Sequence, residues 1–130
     1  MSRELADNSG APVTVGIEHA DPVSAYVVRL ADGSAVGRAD FVDPPDGPDE
    51  RIFFHTEVDP EFGGRGLAGL LVRAALEDSI RDGLDVVPVC PLFARHLDRH
   101  GDEFVADGGR FRSPTRADIV LVGRITRGRP

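Results

Sequence analysis

A glycine-rich turn between a predicted strand and a predicted helix constrains this chain more than any other stretch. Before the turn, residues 51–58 are rich in aromatic and β-branched types and alternate with period two, which predicts a strand. Strict alternation would place Ile52, Phe54, Thr56 and Val58 on one face and Phe53, His55 and Glu57 on the other. After the turn, small and apolar residues recur at helical spacing over 68–80, and Gly83 is a helix stop.

The glycine turn is chemically suited to an anion. The first N–H groups of a helix have no intrahelical partner and lie at the positive end of its dipole. Gly63, Gly64 and Gly66 remove the Cβ atoms that would keep an anion away from those amides, and Arg65 adds a forked cationic donor. The stretch therefore predicts a phosphate-sized site, although a tight turn that only requires glycine fits the same residues.

Two familiar phosphate motifs do not fit this turn. A P-loop requires a lysine after its last glycine, and the chain contains no lysine. Residues 64–69 read G-x-G-x-x-G, and Asp85 lies near the offset of the acidic residue in a dinucleotide fingerprint. A chain of 130 residues is too short for the long doubly wound sheet which that motif requires.

The segments that precede the turn are predicted to form an antiparallel meander. Strand patterns cover 12–20, 24–30 and 35–42, and Asp32-Gly33 marks a hairpin turn between the last two. Residues 43–50 form a polar, proline-rich connector. Residues 1–11 are polar and are predicted to be a flexible N-terminus.

The segments that follow the first helix are predicted to add a parallel strand and further helices. The short apolar run 85–90 predicts a strand parallel to 51–58, because a helical crossover joins the two. Pro91 suits the first turn of a helix that continues to about residue 100, and 102–112 is polar and predicts a loop. The capping box at 115–118 predicts a last helix to about Arg124, although the β-branched run 119–122 also fits a strand.

Composition limits the class of protein. The length suits one domain with one core, and no apolar run approaches the length of a membrane span. A net charge of −7 disfavours nonspecific nucleic-acid binding and favours a cationic partner. The single cysteine precludes an internal disulfide and predicts a reducing cytoplasm. The arginine-only basic set, with abundant Ala, Gly, Val, Asp and Pro, is typical of a GC-rich bacterial genome.

The turn and its flanks together resemble a known family. Over 58–68, Val-x-Pro-x-Phe followed by Gly-Arg-Gly-Leu-Ala resembles the acetyl-CoA pyrophosphate loop of the GNAT acetyltransferase superfamily. His-Thr-Glu-Val at 55–58 and Pro-Val-Cys-Pro at 88–91 resemble a small single-domain branch with a cysteine in its cleft. The similarity runs from about residue 34 to 100. It departs at Gly63, where the superfamily usually has Gln or Arg, and at 101–104, where this branch usually has Pro-Glu-Tyr.

The resemblance implies an α/β (α+β) fold with a GNAT-like mixed sheet. An antiparallel N-terminal meander would precede a strand–helix–strand unit, with the two strands splayed at the cofactor near Pro88 and helices at the C-terminus. The domain would cover 12–100, and 101–130 would be an extension packed on it. The resemblance also implies a site for acetyl-CoA or coenzyme A, formed by Glu57, Val58, Gly63, Gly64, Arg65, Gly66, Leu67, Ala68, Cys90 and Phe93.

Three residues are candidates for catalysis. Cys90 lies at a strand end and a helix start, so it can take the acetyl group, line the cleft, or be a small buried apolar residue. His55 and Glu57 share a strand face and can remove a proton from an ammonium directly or through water, or they are simply a sheet residue and a solvated one. His96 and His100 are four apart, but further zinc ligands are lacking, so no metal site is predicted.

The resemblance implies an acetyl-CoA-dependent N-acetyltransferase that acts on a primary amine of a protein lysine, a polyamine or a small molecule. By the same resemblance, the backbone N–H that polarises the thioester would lie near Glu57 or Val58. The alternatives are a non-catalytic acyl-CoA-binding or sensing module and a plain interaction domain. The expected partners are acetyl-CoA and the amine, without nucleic acid or membrane, for a cytoplasmic monomer or weak dimer.

Overall fold

The computed structural model describes residues 2–45 and 49–127 and contains one mixed sheet with three helices. The seven strands follow one another across the sheet in chain order. Strands β1 to β5 pair antiparallel, whereas β6 pairs parallel with β5 and β7 pairs parallel with β6. This architecture confirms the predicted fold class. The elements are β1 Ser2–Ala6, β2 Pro12–Glu18, β3 Ser24–Leu30, β4 Ala35–Val42, β5 Glu50–Val58, α1 Leu67–Arg81, β6 Asp85–Pro88, α2 Pro91–Ala106, β7 Arg110–Phe111 and α3 Arg116–Arg127.

The helices cover both faces of the sheet because successive strand residues point to opposite sides. One face carries the main core, to which α1 and α2 contribute Leu67, Leu71, Ala75, Phe93 and Leu97. The other face carries a second cluster, in which Val42, Ile52 and Val87 are buried beneath Leu121, Val122 and Ile125 of α3. None of the helices in the described part of the chain is long and apolar enough to cross a membrane.

The predicted meander is confirmed, but its N-terminal boundary was wrong. Ser2–Ala6, predicted to lie in a flexible terminus, forms β1 and pairs along its whole length with β2. Its single large apolar residue, Leu5, gives no strand signal on its own, and the pairing with β2 supplies the missing stabilisation. The Asp32-Gly33 turn has the expected positive φ at Gly33, 90°. Residues 46–48 of the predicted connector lie outside the described residues.

The C-terminal part corrects one prediction and confirms another. Helix α2 continues to Ala106, so residues 102–106 are not part of a loop and the proposed boundary at residue 100 falls inside a helix. The helix passes that point with a kink at His100, after which Gly101 faces the Phe111 ring, which a Cβ would approach to 2.9 Å. Residues 116–127 are helical, as predicted. Thr115 N–H donates to Asp118 Oδ2 at 2.7 Å, and Asp118 N–H donates back to Thr115 Oγ1 at 3.4 Å.

A network around Arg112 attaches α3 to the sheet. The guanidinium donates to both Glu50 oxygens at 2.7 and 2.9 Å, and to both Asp118 oxygens at 2.7 and 3.0 Å. The pKa of the Asp118 carboxyl is lowered to about 2, and the main cause is the hydrogen bond from Arg112. Burial acts in the opposite direction. The start of α3 is therefore fixed by charge-assisted hydrogen bonds rather than by the apolar cluster alone.

A bulge in β5 overturns the strict alternation predicted for this strand. Asp40 pairs with His55 but the next residue of β4, Phe41, pairs with Phe53, so Phe54 is an extra residue in β5. Up to the bulge the alternation holds, because Phe53 belongs to the main core and Phe54 packs with the α3 cluster. Beyond the bulge, Val58 packs against the main core, on the side of α1. The residues after the bulge therefore lie on the opposite face of the sheet from the one that strict alternation from Ile52 predicts.

The C-terminal end of α1 is tied to the sheet by a buried polar network. Tyr26 OH donates to Asp78 Oδ2 at 2.7 Å and accepts from Arg51 Nη1 at 3.4 Å. Asp78 Oδ1 forms ion pairs with Arg3 and, at 3.3 Å, with Arg81. Burial, followed by the hydrogen bond and charge of Asp78, raises the pKa of the Tyr26 phenol above its ordinary value.

Candidate active site

A gap opens in the sheet where β5 continues beyond β6. The pairing of the two strands ends at Phe53–Pro88, whereas β5 continues to Val58. Pro88 has no N–H to extend the ladder, which accounts for the end of the pairing. The chain then turns, and Cys90 N–H donates to Phe53 O at 2.8 Å. The β6 side of β5 is therefore left without a strand partner from Phe54 onward in the described structure.

The backbone of β5 directs one amide into this gap. Asp59 N–H donates to Val36 O at 2.8 Å, and Glu57 stands opposite Arg38 in the same register. Because N–H groups of a strand alternate in direction, the Glu57 amide points towards β4 and the Val58 amide points away from it. Of the two residues that the sequence left open for a carbonyl-polarising N–H, Val58 is the one with the suitable direction.

Cys90 lies beside the gap on the helix side of the sheet. It is buried, with 3% of its surface exposed, and it immediately precedes α2. Its Sγ lies 3.3 Å from Thr56 Oγ1. The sequence left open whether Cys90 is a buried core residue or lines a cleft. In the structure it does both, because it is part of the core and also borders the gap. Thr56 was missed as a site residue, since strict alternation gave it no role.

His55 and Glu57 lie together on the opposite face of β5. His55 Nε2 and Glu57 Oε2 are 3.3 Å apart, and both side chains are more than half exposed. Thr56 and Cys90 lie on the helix side, so the bulged strand separates the three predicted catalytic residues into two groups. The structure therefore brings His55 and Glu57 together and does not bring Cys90 to them.

The carboxylate of Glu57 lines an open pocket of about 530 Å³ on its own face of the sheet. Val58 also lines this pocket. Arg29 is paired with Glu18 at 2.5 Å, and Arg38 is paired with Asp40 at 2.7 Å. The arginines are thus neutralised by neighbouring acids, while Asp59 and Glu57 add further carboxylates to the lining.

The glycine turn leads into the uncapped start of α1. A 3₁₀ turn at Pro60–Phe62 is followed by Gly64 and Gly66, whose φ angles of 82° and 76° are in the left-handed region. Gly66 is the N-cap residue, and no side chain caps the helix. Leu70 N–H makes the first helical bond, to Gly66 O at 3.2 Å, so the amides of residues 67–69 face outward. Gly63 is extended, with a φ of −62° that any residue can adopt, so its backbone conformation does not require glycine.

Arg65 stands beside these amides with its guanidinium half-exposed. Its Cζ lies 5.0 Å from the centre of the Phe62 ring, and its Nη1 lies 3.7 Å from Asp7 Oδ2. Phe93, by contrast, has no exposed surface and stacks on Phe53 with ring centres 4.3 Å apart. The prediction that Phe93 contacts a cofactor is therefore replaced by a core role, because its ring is enclosed by the sheet and the helices.

A groove with a cationic lining continues from the start of α1 towards α2. A pocket of about 180 Å³ lies between Gly69 on α1 and Arg95, His96 and Arg99 on α2. Within residues 2–45 and 49–127, neither Arg95 nor Arg99 has an ion-pair partner. Burial, then the charges of His100 and Arg73, lower the pKa of His96. The sequence analysis missed the two arginines, although their i, i+4 spacing after the Pro-Val-Cys-Pro motif was a usable signal.

The described residues do not form a metal-binding site. His96 and His100 have ring centres 4.9 Å apart, but across the described ranges no set of three His, Cys, Asp or Glu side chains is placed to hold an ion.

One family model matches more than half of the chain. The model of the family described as GCN5-related N-acetyl-transferase matches residues 25–107. A GCN5-like N-acetyltransferase from Staphylococcus aureus, solved by NMR in solution, is 21% identical with a TM-score of 0.47, over 78% of this chain and 91% of its own. The structure of AAC(6')-Iy in complex with the bisubstrate analogue CoA-S-monomethyl-acetylneamine is 26% identical with a TM-score of 0.43. The match covers 75% of this chain and 67% of the AAC(6')-Iy chain. No curated protein sequence matches the chain.

Proposed function

Because the chain belongs to the GCN5-related N-acetyltransferase family, we propose that it transfers an acetyl group from acetyl-CoA to a cationic primary amine. The family makes the chain an acyltransferase, and acetyl-CoA is the acetyl donor of that family. One observation carries the assignment of the site: a strand gap and an uncapped, glycine-led helix start are separated by only one short turn, 59–66. This arrangement fits a ligand that has both a narrow arm and a diphosphate.

The residues at the start of α1 fit the diphosphate. The amides over Gly64–Ala68 and the guanidinium of Arg65 would hold it, since the N–H groups are free and the helix dipole favours an anion. Arg95 and Arg99 lie along the groove that continues from this point, and would hold the additional phosphate of the coenzyme A adenosine. The overall charge of −7 makes this local concentration of arginine significant.

The residues at the gap fit the reacting end of the donor, which supplies an activated acetyl thioester. Val58 N–H would donate to the thioester carbonyl oxygen and stabilise the negative charge that develops there. Val89 and Cys90 would line the other wall of the gap. Glu57 and His55 would remove a proton from the acceptor ammonium, directly or through water, from the opposite side of β5, so that the neutral amine can attack the thioester.

We favour direct transfer over an acyl-cysteine. Cys90 is buried beside Thr56, and the candidate proton acceptors His55 and Glu57 lie on the other face of the strand. A covalent route requires an activated thiol, and an adjacent base, one of the usual means of activation, is not supplied by His55 or Glu57. A Cys90→Ala protein is therefore expected to retain turnover, measured as free thiol released with a saturating amine. Loss of turnover with acetyl-CoA affinity intact would assign the acyl-cysteine route instead.

The pocket beneath Glu57 favours a positively charged acceptor. Its two arginines are paired with Glu18 and Asp40, while Glu57 and Asp59 add negative charge next to the gap. The pocket is open, which suits a protein lysine or a polyamine as well as a small amine. A bacterial cytoplasm and a monomer or weak dimer belong to the same proposal, supported by the composition.

Calorimetric titration followed by turnover tests this function. Acetyl-CoA and free CoA are expected to bind in the micromolar range, with ATP as the comparison that lacks the pantetheine arm. Spermidine and a lysine-containing peptide are then offered as acceptors, with the same peptide acetylated at its lysine as the control. Acetyl transfer to the unblocked amines supports the enzyme. Binding without any turnover would favour an acyl-CoA-sensing module, and the absence of binding would remove the cofactor site altogether.

A further inference from the structure

The turn between β1 and β2 lies against the glycine turn, although the two are more than fifty residues apart in sequence. Asp7 closes the β1–β2 turn: its Oδ1 accepts from Ser9 N–H at 2.8 Å, Ser9 Oγ at 2.6 Å and Ala11 N–H at 3.0 Å. Asn8 N–H then donates to Arg65 O at 2.9 Å. The β1–β2 turn is thus rigid in itself and is bonded to the backbone just before Gly66.

The second carboxylate oxygen of Asp7 faces the glycine turn. Oδ2 is buried and has no hydrogen bond, and Arg65 Nη1 lies 3.7 Å from it. A buried carboxylate oxygen without a hydrogen bond is uncommon and requires a specific reason. At this distance the two charges attract, yet no N–H of Arg65 is consumed. Asp7 therefore fixes the position of the guanidinium and leaves its donors available to another acceptor.

The side chain of Asn8 lies over Gly66 at the start of α1. A Cβ on Gly66 would meet Asn8 Oδ1 at 2.7 Å and Nδ2 at 2.8 Å. Gly66 is consequently required twice, for its φ of 76° and for the space that the carboxamide occupies. The carboxamide of Asn8 therefore lies beside Gly66, the residue that immediately precedes the outward-facing N–H groups of residues 67–69.

We propose that the β1–β2 turn is a third wall of the diphosphate site, in which Asn8 Nδ2 donates to the ligand and Asp7 is a positioning residue for Arg65. The proposal rests on the acetyl-CoA function above. The match to the family model begins at residue 25, so this wall lies outside the part of the chain that the family model describes. It gives a specific use to the segment whose polar composition predicted a flexible terminus.

Variants of Asn8 separate ligand binding from support of the loop. Asn8→Ala removes one hydrogen bond to a charged group and is expected to weaken acetyl-CoA about tenfold. Asn8→Asp is nearly isosteric but adds a negative charge beside the diphosphate, so a loss of about a hundredfold is expected. Both should raise KM for acetyl-CoA with kcat nearly unchanged. If Asn8 only supported the turn, the two variants would lose the same affinity.

Asp7→Asn tests the positioning role against a matched control. The variant removes the charge that faces Arg65, and is expected to weaken acetyl-CoA about fivefold. Asp32→Asn changes the equivalent carboxylate of the β3–β4 turn, which accepts from Ser34 N–H at 2.8 Å, and should leave the affinity unchanged. In an Arg65→Gln background, Asp7→Asn should cause no further loss of affinity, because the charge that Asp7 holds is absent.

The outcomes distinguish this inference from the function on which it rests. If the unmodified protein binds acetyl-CoA but the Asn8 and Asp7 variants bind equally well, the third wall is overturned and the acetyltransferase assignment stands. The wall is also overturned if Asn8→Ala and Asn8→Asp lower the thermal midpoint and the affinity in parallel. If the unmodified protein does not bind acetyl-CoA, the function and the wall are both rejected.

Discussion

The two ends of α1 differ in how completely their polar groups are partnered. At the C-terminal end, both oxygens of the buried Asp78 are bonded, one to Tyr26 and the other to Arg3 and Arg81. At the N-terminal end, the helix has no side-chain cap, and Asp7 Oδ2 has no hydrogen bond. The helix is the same and its dipole acts at both ends, so the difference lies in what surrounds them. The satisfied groups at the C-terminal end stabilise the fold, and the available groups at the N-terminal end are those to which we assign the proposed binding of the diphosphate.

Removing Asp78 is expected to have the largest effect and to act on stability alone. Asp78→Ala leaves Arg3, Arg81 and the Tyr26 hydroxyl without their shared acceptor, at a cost of about 3 kcal/mol in the free energy of unfolding. Chemical denaturation measures that change. The affinity for acetyl-CoA, measured on folded protein, should not change. A large loss of affinity would show that the two ends are coupled through the helix.

Substitution of Gly66 should produce the converse result. Gly66→Val places a β-branched side chain at a φ of 76° and against Asn8, so the glycine turn must move and acetyl-CoA affinity is expected to fall at least about a hundredfold. The matched control is Gly83→Val after the other end of α1. Gly83 has a φ of 68° and open space around its Cα, so this variant should cost about 1–2 kcal/mol of stability without a change in affinity.

Substitution of Arg95 or Arg99, the arginines of the groove, is expected to lower coenzyme A affinity by a smaller factor. Arg95→Ala or Arg99→Ala should each weaken coenzyme A about tenfold, because each removes a donor to a phosphate. Titration with 3'-dephospho-CoA tests the assignment, since that ligand should bind the variants and the unmodified protein almost equally. Arg116→Ala, on α3, serves as the control for loss of a surface arginine. An equal effect on both ligands would place the arginines elsewhere than at the 3'-phosphate.

The smallest effect is expected in alkaline solution, at the C-terminal end. The pKa of Tyr26 is raised in the folded protein above the ordinary tyrosine value of 10.0, so its contribution to stability is complete below about pH 10 and is lost as the pH rises towards the folded pKa. The chain has one Tyr and no Trp, so tyrosinate absorbance follows this group alone. The absorbance should appear together with unfolding, and Tyr26→Phe should remove the dependence. Ionisation of the Tyr26 phenol near pH 10 while the protein stays folded would contradict the buried position of its side chain.

Local patterns predicted the parts of the fold that depend on neighbours in sequence. The glycine turn, the helix after it and the capping box of α3 were predictable because period, φ requirement and capping are properties of short segments. The contacts of Tyr26 with Asp78 and of Asp7 with Arg65 were not, since each joins residues more than fifty positions apart. Strand β1 was missed for the same reason, because its stability comes from the β2 pairing rather than from its own composition.

The bulge at Phe54 gives β5 an unusual sensitivity to its own length. A substitution at Phe54 changes one side chain in the α3 cluster and leaves the rest of the strand as it is. Deletion of that one residue would restore regular alternation, so Thr56 and Val58 would exchange sides with His55 and Glu57. The count of residues between Phe53 and Thr56, more than their chemical identity, therefore decides which groups face Cys90 and the helices and which face the open pocket.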